Sequence, residues 1–204
     1  MGGFRPFQSP HGEVKASAPL GASQTFEAYD PVQLSGNQLV TCTVNTKILD
    51  DAFIGFAATP AKGILAGSRT SGSGALEIAS PKFFGDVGAA ENTIREYIRP
   101  TIGQYMATNN FWTAATTATQ DVVGGGDLGA LFQMSAPTGA EWGLIDVAGV
   151  PGTDACARIV MIFDTDGNRF NADTADTACT GDTTGPTIVF EIVDLQGLDQ
   201  VMGG

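Results

Sequence analysis

The chain of 204 residues lacks most of the residues on which catalytic and metal centres depend. It has a single histidine, His11, and only three cysteines, so a histidine-based triad or a histidine-rich metal site within a packed domain is excluded. It contains neither a G-x-S-x-G nor a G-x-x-x-x-G-K segment. We therefore predict no catalytic residue, no cofactor and no metal ligand, and we expect a protein that is not an enzyme.

Basic residues are scarce, above all in the second half of the chain. The formal net charge is −12, and residues 105–204 carry two arginines against 13 acidic side chains, whereas residues 1–104 carry eight basic and nine acidic ones. Nucleic-acid binders need the opposite sign, because phosphate contacts dominate their affinity. The near-neutral first half is thus the better candidate for docking, and an acidic surface that serves only solubility is the alternative.

Long apolar runs and a secretory signal pattern are also missing. No segment approaches the roughly 20 apolar residues of a membrane-spanning helix, and the first residues do not combine positive charge with an apolar stretch. We expect a protein that is made in the cytoplasm, without a membrane partner.

Helical periodicity is almost absent, and strand-like runs take its place. Asp30-Pro31 opens a hairpin whose turn is Ser35-Gly36-Asn37, and its return run places Val40, Cys42 and Val44 on one side, so one face should be buried. Further strand-like runs lie at 52–58, 63–66, 76–79, 93–99, 102–112, 131–134, 142–147, 156–164 and 187–193. The pattern predicts an all-β protein, a β-barrel or β-sandwich (β-tulip-like) with little helix.

Residues 1–18 differ from the rest and predict an extended N-terminal arm. Pro6 and Pro10 exclude a helix, and Phe4, Arg5 and Phe7 have no partner pattern of their own. Such an arm is suited to docking in a foreign groove or on a sheet edge, and the alternative is a frayed terminus. We expect residues 19–104 to form a first β region and residues 105–204 a second, acidic one, packed together as one compact unit.

Two motifs resemble ligand sites in their letters only. Gly124, Gly126 and Gly129 match a dinucleotide fingerprint, but the residues that follow are strand-like and no helix is predicted to receive a pyrophosphate. Asp164, Asp166 and Asn168 begin like a calcium loop that lacks its later ligands, so a reverse turn is predicted. A different calcium site could recruit acidic residues of the same region, namely Asp173, Asp176 and Asp182.

The tryptophans and cysteines each leave two interpretations open. Trp112 and Trp142 could form a sugar-binding platform, although core packing is the commoner role of tryptophan. Cys42 lies in an alternating strand and is predicted to be a small buried residue. Cys156 and Cys179 flank the acidic turn region and could form a disulfide, which a reducing cytosol disfavours.

Several segments together resemble one protein family. Residues 16–40, ASAPLGASQTFEAYDPVQLSGNQLV, and 50–63, DDAFIGFAATPAKG, are similar to the opening hairpin and next strand of capsid decoration (cement, head-stabilising) proteins of tailed bacteriophages. The runs LGALFQM, WGLIDV, ARIVMIFD and GPTIVFEIV are similar to the C-terminal strands of such proteins. One departure is Tyr29, where these hairpins usually carry glycine.

The resemblance implies a structural virion protein without enzymatic activity. Its partner would be the major capsid protein, the first β region would face the capsid, and the location would be the capsid exterior. The arm residues Phe4, Arg5 and Phe7 are the expected capsid-binding residues. The alternative functions are a carbohydrate-binding or adhesin module and a polysaccharide-degrading enzyme.

A homo-oligomer is also expected. Residues 159–163, IVMIF, place apolar side chains on both faces of one strand, and a barrel interior takes only alternate residues. Closed symmetry would cover the other face, with a trimer favoured over a dimer. A second layer of the same chain is the alternative cover.

Overall fold

The computed structural model describes residues 3–9, 12–21, 24, 26–44, 53–58, 94–101, 103–145, 155–170, 178–180 and 186–193, with the side chains of all but 178–180. Some predictions concern residues outside this part of the chain: the strands at 63–66 and 76–79, His11, and the acidic residues Asp173, Asp176 and Asp182.

Strands dominate the described chain, as the alternating patterns predict. They are β1 (Arg5–Gln8), β2 (Val14–Pro19), β3 (Pro31–Ser35), β4 (Gln38–Thr41), β5 (Phe53–Ala57), β6 (Ile94–Arg99), β7 (Tyr105–Thr108), β8 (Phe111–Ala114), β9 (Thr117–Gln120), β10 (Val122–Gly124), β11 (Leu131–Ser135), β12 (Gly143–Ile145), β13 (Ala157–Phe163), β14 (Ala178–Thr180) and β15 (Thr187–Ile192). A single 3-10 turn at Gly125–Asp127 is the helical element of the described residues. No described helix is long and apolar enough to cross a lipid bilayer.

A five-stranded antiparallel sheet comes from the first half of the chain, in the order β2-β6-β5-β3-β4. The predicted hairpin is its β3–β4 unit, with Gly36 and Asn37 at positive φ in the turn. Leu20, just beyond β2, makes a parallel bridge to Leu39 in β4. The sheet therefore curls, and its two outermost strands approach each other.

An eight-stranded sheet comes mostly from the second half, in the order β1-β7-β15-β13-β11-β12-β8-β9. Its strands pair antiparallel except β12 and β8, which are parallel. The strand that extends this sheet at one end is β1, which crosses over from the N-terminus to pair with β7. β10 and β14 form a separate two-stranded ribbon.

The two large sheets share one apolar core, which confirms an all-β sandwich. Phe53 and Phe56 from the smaller sheet join Met106, Ile159 and Phe190 from the larger sheet in this cluster. A smaller cluster fills the opposite, curled side of the five-stranded sheet: Ala18, Leu20, Phe26, Val32, Leu39, Ile54 and Ala57. Among the described strands the ladders leave both sheets open, so the sandwich and not the closed barrel is the observed form.

The curling corrects the expectation that the hairpin buries one face. Cys42 packs in the shared core, as predicted, but Leu39 on the opposite side is fully buried in the smaller cluster. In β6 residues of both sides are also buried, because Ile98 is 1 % and Arg95 is 3 % exposed, whereas Ile94 at the start of the strand is 60 % exposed. Burial lowers the pKa of this arginine. An alternation pattern identifies two faces, but a sheet with a core on each side buries residues from both.

Residues 1–18 are extended, as predicted, but their described part is not a free arm. β1 pairs with β7 in the larger sheet, and β2 pairs with β6 along six residues of the smaller sheet. The sequence shows no partner pattern because both partners lie about 80 to 100 residues further along the chain. The N-terminal segment therefore contributes one strand to each of the two large sheets.

Candidate interaction surface

Phe4 is the residue through which the N-terminal segment is fixed to the domain. Its side chain is 4 % exposed and lies in the shared core. The ring makes edge contacts with Phe56 of β5 and Phe190 of β15, with centroids 5.8 and 5.2 Å apart. Because these two rings belong to different sheets, Phe4 joins the layers. This corrects its expected role, since a buried ring offers no surface to a partner.

Arg5 and Phe7 point to the other side of β1 and are exposed. Arg5 donates hydrogen bonds to Oδ1 of Asn109 and, over 3.3 Å, to Oγ1 of Thr187, which hold its guanidinium across the neighbouring strands. Phe7 is 43 % exposed, and its ring lies 6.0 Å from that of Phe163 in β13. Of the three predicted binding residues, these two are available to a partner.

The strand register shows which residues share this side of the larger sheet. Ala107 lies opposite both Arg5 and Val189, and Val189 lies opposite Met161, so all four face outward. Phe190, one residue on from Val189, faces the core. We call this side of strands β1, β7, β15, β13 and β11 the outer face. Its members are Arg5, Phe7, Tyr105, Ala107, Leu131, Arg158, Met161, Phe163, Thr187, Val189, Glu191 and Val193.

The outer face is largely apolar, and its charges nearly cancel. Phe7, Leu131 and Val193 are each about two-fifths exposed (43, 39 and 39 %), and all three are large hydrophobic residues. Arg158 donates from Nε to Oε1 of Glu191 over 2.9 Å, so this pair neutralises itself. Arg5 is the remaining cation among the described residues of the face.

The sequence alone indicated Arg5, Phe7 and the run at 159–163, which is apolar on both faces, but not the other members of the outer face. The chain itself covers part of the outward side of this run, because Phe7 packs on Phe163. Val189 of the neighbouring strand β15 is fully buried. Met161 and Phe163 stay partly exposed. The homo-oligomer, trimer or dimer, stays a prediction.

Both tryptophans are core residues, so the sugar-platform interpretation is wrong for them. Trp112 is 5 % and Trp142 is 3 % exposed. Gly143 makes room for the first of these, because a Cβ there would lie 2.6 Å from Nε1 of Trp112. Neither indole offers a face to a saccharide.

The two ligand-like motifs have the local structures that the sequence predicts. Gly124 to Gly129 spans a 3-10 turn, and strand β11 rather than a helix follows. Asp164 closes a reverse turn in which it accepts hydrogen bonds from the backbone of Asp166 and Asn168. Hydrogen bonds from Asn168, followed by those from the turn backbone, hold the pKa of Asp164 below its usual value. Among the described residues, no three histidine, cysteine or acidic side chains gather as a metal site would require.

A buried acid lies where the opening hairpin meets the larger sheet. Asp30 is 6 % exposed; Oδ2 accepts a hydrogen bond of 2.8 Å from the backbone of Glu27, and Oδ1 has no partner. Burial, reinforced by the carboxylates of Glu27 and Glu141, raises the pKa of Asp30 to about 6. The preceding Tyr29 donates to Oε1 of Glu13 over 3.2 Å.

Two cysteines lie in the shared core, and burial makes the thiol of Cys42 unreactive. Cys42 and Cys156 are both buried there, and burial, with a smaller effect from Cys156, raises the pKa of the Cys42 thiol. A thiol held protonated is a poor nucleophile and a poor metal ligand. The side chain of Cys179 lies outside the described residues, so its pairing with Cys156 stays a prediction.

Comparisons with known proteins do not assign the chain to a family. No family model, no curated protein and no solved structure matches it.

Proposed function

We propose that the chain is a structural virion protein that binds the outer surface of a phage major capsid protein lattice and stabilises the head. The observation that supports the proposal is the different placement of three neighbouring residues at β1. Phe4 anchors the strand in the core, while Arg5 and Phe7 are held on the outer face. An exposed aromatic ring beside a positioned arginine is typical of residues that dominate protein interfaces.

The rest of the molecule supports a binding role without chemistry. The described residues form a β-sandwich whose outer face is weakly charged, in a chain whose net charge is −12. The hairpin and strand motifs that resemble decoration proteins form β3–β4 and β5 in the smaller sheet. Location on the capsid exterior is part of the same proposal, and so is a trimer, whose contacts would lie outside the outer face.

The test is co-sedimentation with assembled phage heads that lack the protein, followed by heating of the loaded heads. We expect the wild-type protein to bind and to raise the temperature at which heads release DNA. Phe7→Ala should weaken binding by about tenfold or more, as loss of an interface aromatic does. Ile94→Ala removes an apolar residue of the smaller sheet that is 60 % exposed, more than Phe7, and is the control.

Point substitutions are better suited than a deletion of residues 1–15. The deletion would remove Phe4, β1 and the start of β2 together, and the domain would lose its link between sheets. Failure of the wild-type protein to bind heads, or equal binding by Phe7→Ala, would contradict the proposal. Folding of each variant is checked by its melting temperature.

A further inference from the structure

The edge strands of the two large sheets determine whether a partner can bind by adding a strand to a sheet. An edge strand presents unpaired backbone groups to which a foreign strand can add, unless proline, lysine or a bulge prevents it. β1 carries Pro6, and the extra residue Phe7 forms a bulge in its pairing with β7. β2 carries Lys15 and ends in Pro19. Both strands are thus protected against strand addition.

The other two edges are protected by different means. β4 is closed by neighbouring chain, because Gly21 donates to the carbonyl of Leu39 over 2.9 Å and the Gln24 side chain accepts from the backbone of Thr41 over 2.9 Å. β9 has an extra residue in its ladder with β8, since Trp112 pairs with Gln120 but Ala114 pairs with Thr117. Every edge of the two large sheets, as far as they are described, carries one of these devices.

A partner is therefore expected on a sheet face, and the charge of the outer face limits its chemistry. With Arg158 and Glu191 paired, the described charges of that face sum to one positive charge at Arg5. The chain as a whole carries −12. An acidic partner would therefore meet no net electrostatic repulsion at the outer face.

The size of the outer face argues against a second copy as the occupant. Five strands about 4.8 Å apart and up to seven residues long cover at most roughly 20 by 24 Å, or about 500 Å². Ala107 and Val189 in the middle of this area are fully buried, so the accessible part is smaller. Two such faces would bury at most about 1,000 Å², which is below the size of stable dimer interfaces. They would also oppose Arg5 to a second cation. A repeated lattice tolerates such a small contact, because many copies bind in parallel.

We infer that the outer face docks flat on a protein surface that presents apolar side chains around a carboxylate, which pairs with Arg5. The hydrogen bonds to Asn109 and Thr187 hold the guanidinium in place, so little side-chain entropy is lost when the carboxylate binds. Phe7, Leu131 and Val193 supply the apolar contacts. This inference rests on the proposed function, since the surface in question belongs to the capsid lattice. It places the larger sheet against the capsid, in place of the first β region that the resemblance implies.

The test compares two charge reversals that change the net charge equally. Arg5→Glu alters the outer face, and Lys15→Glu alters an exposed cation on the edge of the smaller sheet. We expect Arg5→Glu to weaken binding to phage heads by about 30-fold or more, and Lys15→Glu by less than about threefold. Arg5→Lys, which keeps the charge, should bind better than Arg5→Glu.

Amide hydrogen exchange on the head-bound protein gives a second readout. Flat docking predicts protection of β1 and β13, with no new protection of β2 or β9. Binding of Arg5→Glu that equals that of Lys15→Glu, or new protection along an edge strand, would overturn the inference while capsid binding stands. A wild-type protein that does not bind heads would overturn the proposed function and this inference with it.

Discussion

At the scale of single residues, the turn before β3 departs most from what the side chains prefer. Tyr29 has φ of +68°, a conformation that a bulky residue adopts at a cost. Its backbone N–H donates to the carbonyl of Ala57 over 2.8 Å, and Ala57 donates back to the carbonyl of Asp30 over 2.8 Å. This pair of backbone hydrogen bonds holds Tyr29 in the left-handed turn.

Asp30, the next residue, makes stability depend on pH. Its pKa is about 6 in the folded chain and 3.8 ordinarily, so folding favours the protonated form. The stabilising proton is bound below the folded pKa and lost as the pH rises through about 6. From pH 7.5 to pH 5, we expect the wild-type free energy of unfolding to rise relative to Asp30→Asn by about 1 kcal/mol. Urea denaturation at both pH values measures this, and parallel pH profiles would contradict it.

At the scale of elements, the pairing of β5 with its neighbours depends on one glycine. A Cβ on Gly55 would lie 2.2 Å from the carbonyl oxygen of Ile98 in β6, and its φ is +154°. This close approach lets Phe56 and Ile98 pair, and Phe56 reach the shared core. The backbone contact is the physical reason for a glycine at this position of β5.

Gly55→Ala is therefore expected to destabilise the protein strongly. The β5 and β6 backbones must separate to admit the methyl group, which we expect to cost about 3 kcal/mol or more. Gly126→Ala is the matched control, because no heavy atom lies within 4 Å of the position of its Cβ. That variant should stay within about 0.5 kcal/mol of the wild type. Equal melting temperatures of the two variants would show that β5 and β6 tolerate the separation.

At the scale of the whole molecule, the two halves of the chain supply different sheets but share one apolar core. The smaller sheet comes from the first half, and the larger sheet comes from the second half plus β1. The shared core takes Phe4, Cys42, Phe53 and Phe56 from the first half and the remainder from the second. Neither half closes its own apolar surface.

We expect the two sheets to unfold together. Trp112 and Trp142 lie in the second half, so tryptophan fluorescence reports on that part of the molecule alone. Amide exchange of Phe53–Ala57 reports on the smaller sheet. In a urea titration both probes should give the same midpoint, as a cooperative transition requires. Midpoints that differ by more than about 0.5 M would show two separately stable units.

The amino-acid sequence by itself determined the structures that depend on neighbouring residues. Alternation and Gly/Pro spacing are sufficient for the strand class, and the turns at Gly36-Asn37 and Asp166-Gly167 follow from residues that tolerate positive φ. Tertiary structure alone decided the fate of two identical side chains three positions apart. Alternation places Phe4 and Phe7 on opposite sides of the extended segment, but the pairing of β1 with β7, about 100 residues away, decides which side is buried. The burial of both tryptophans has the same cause. Local sequence cannot encode a contact whose other half lies in a distant strand.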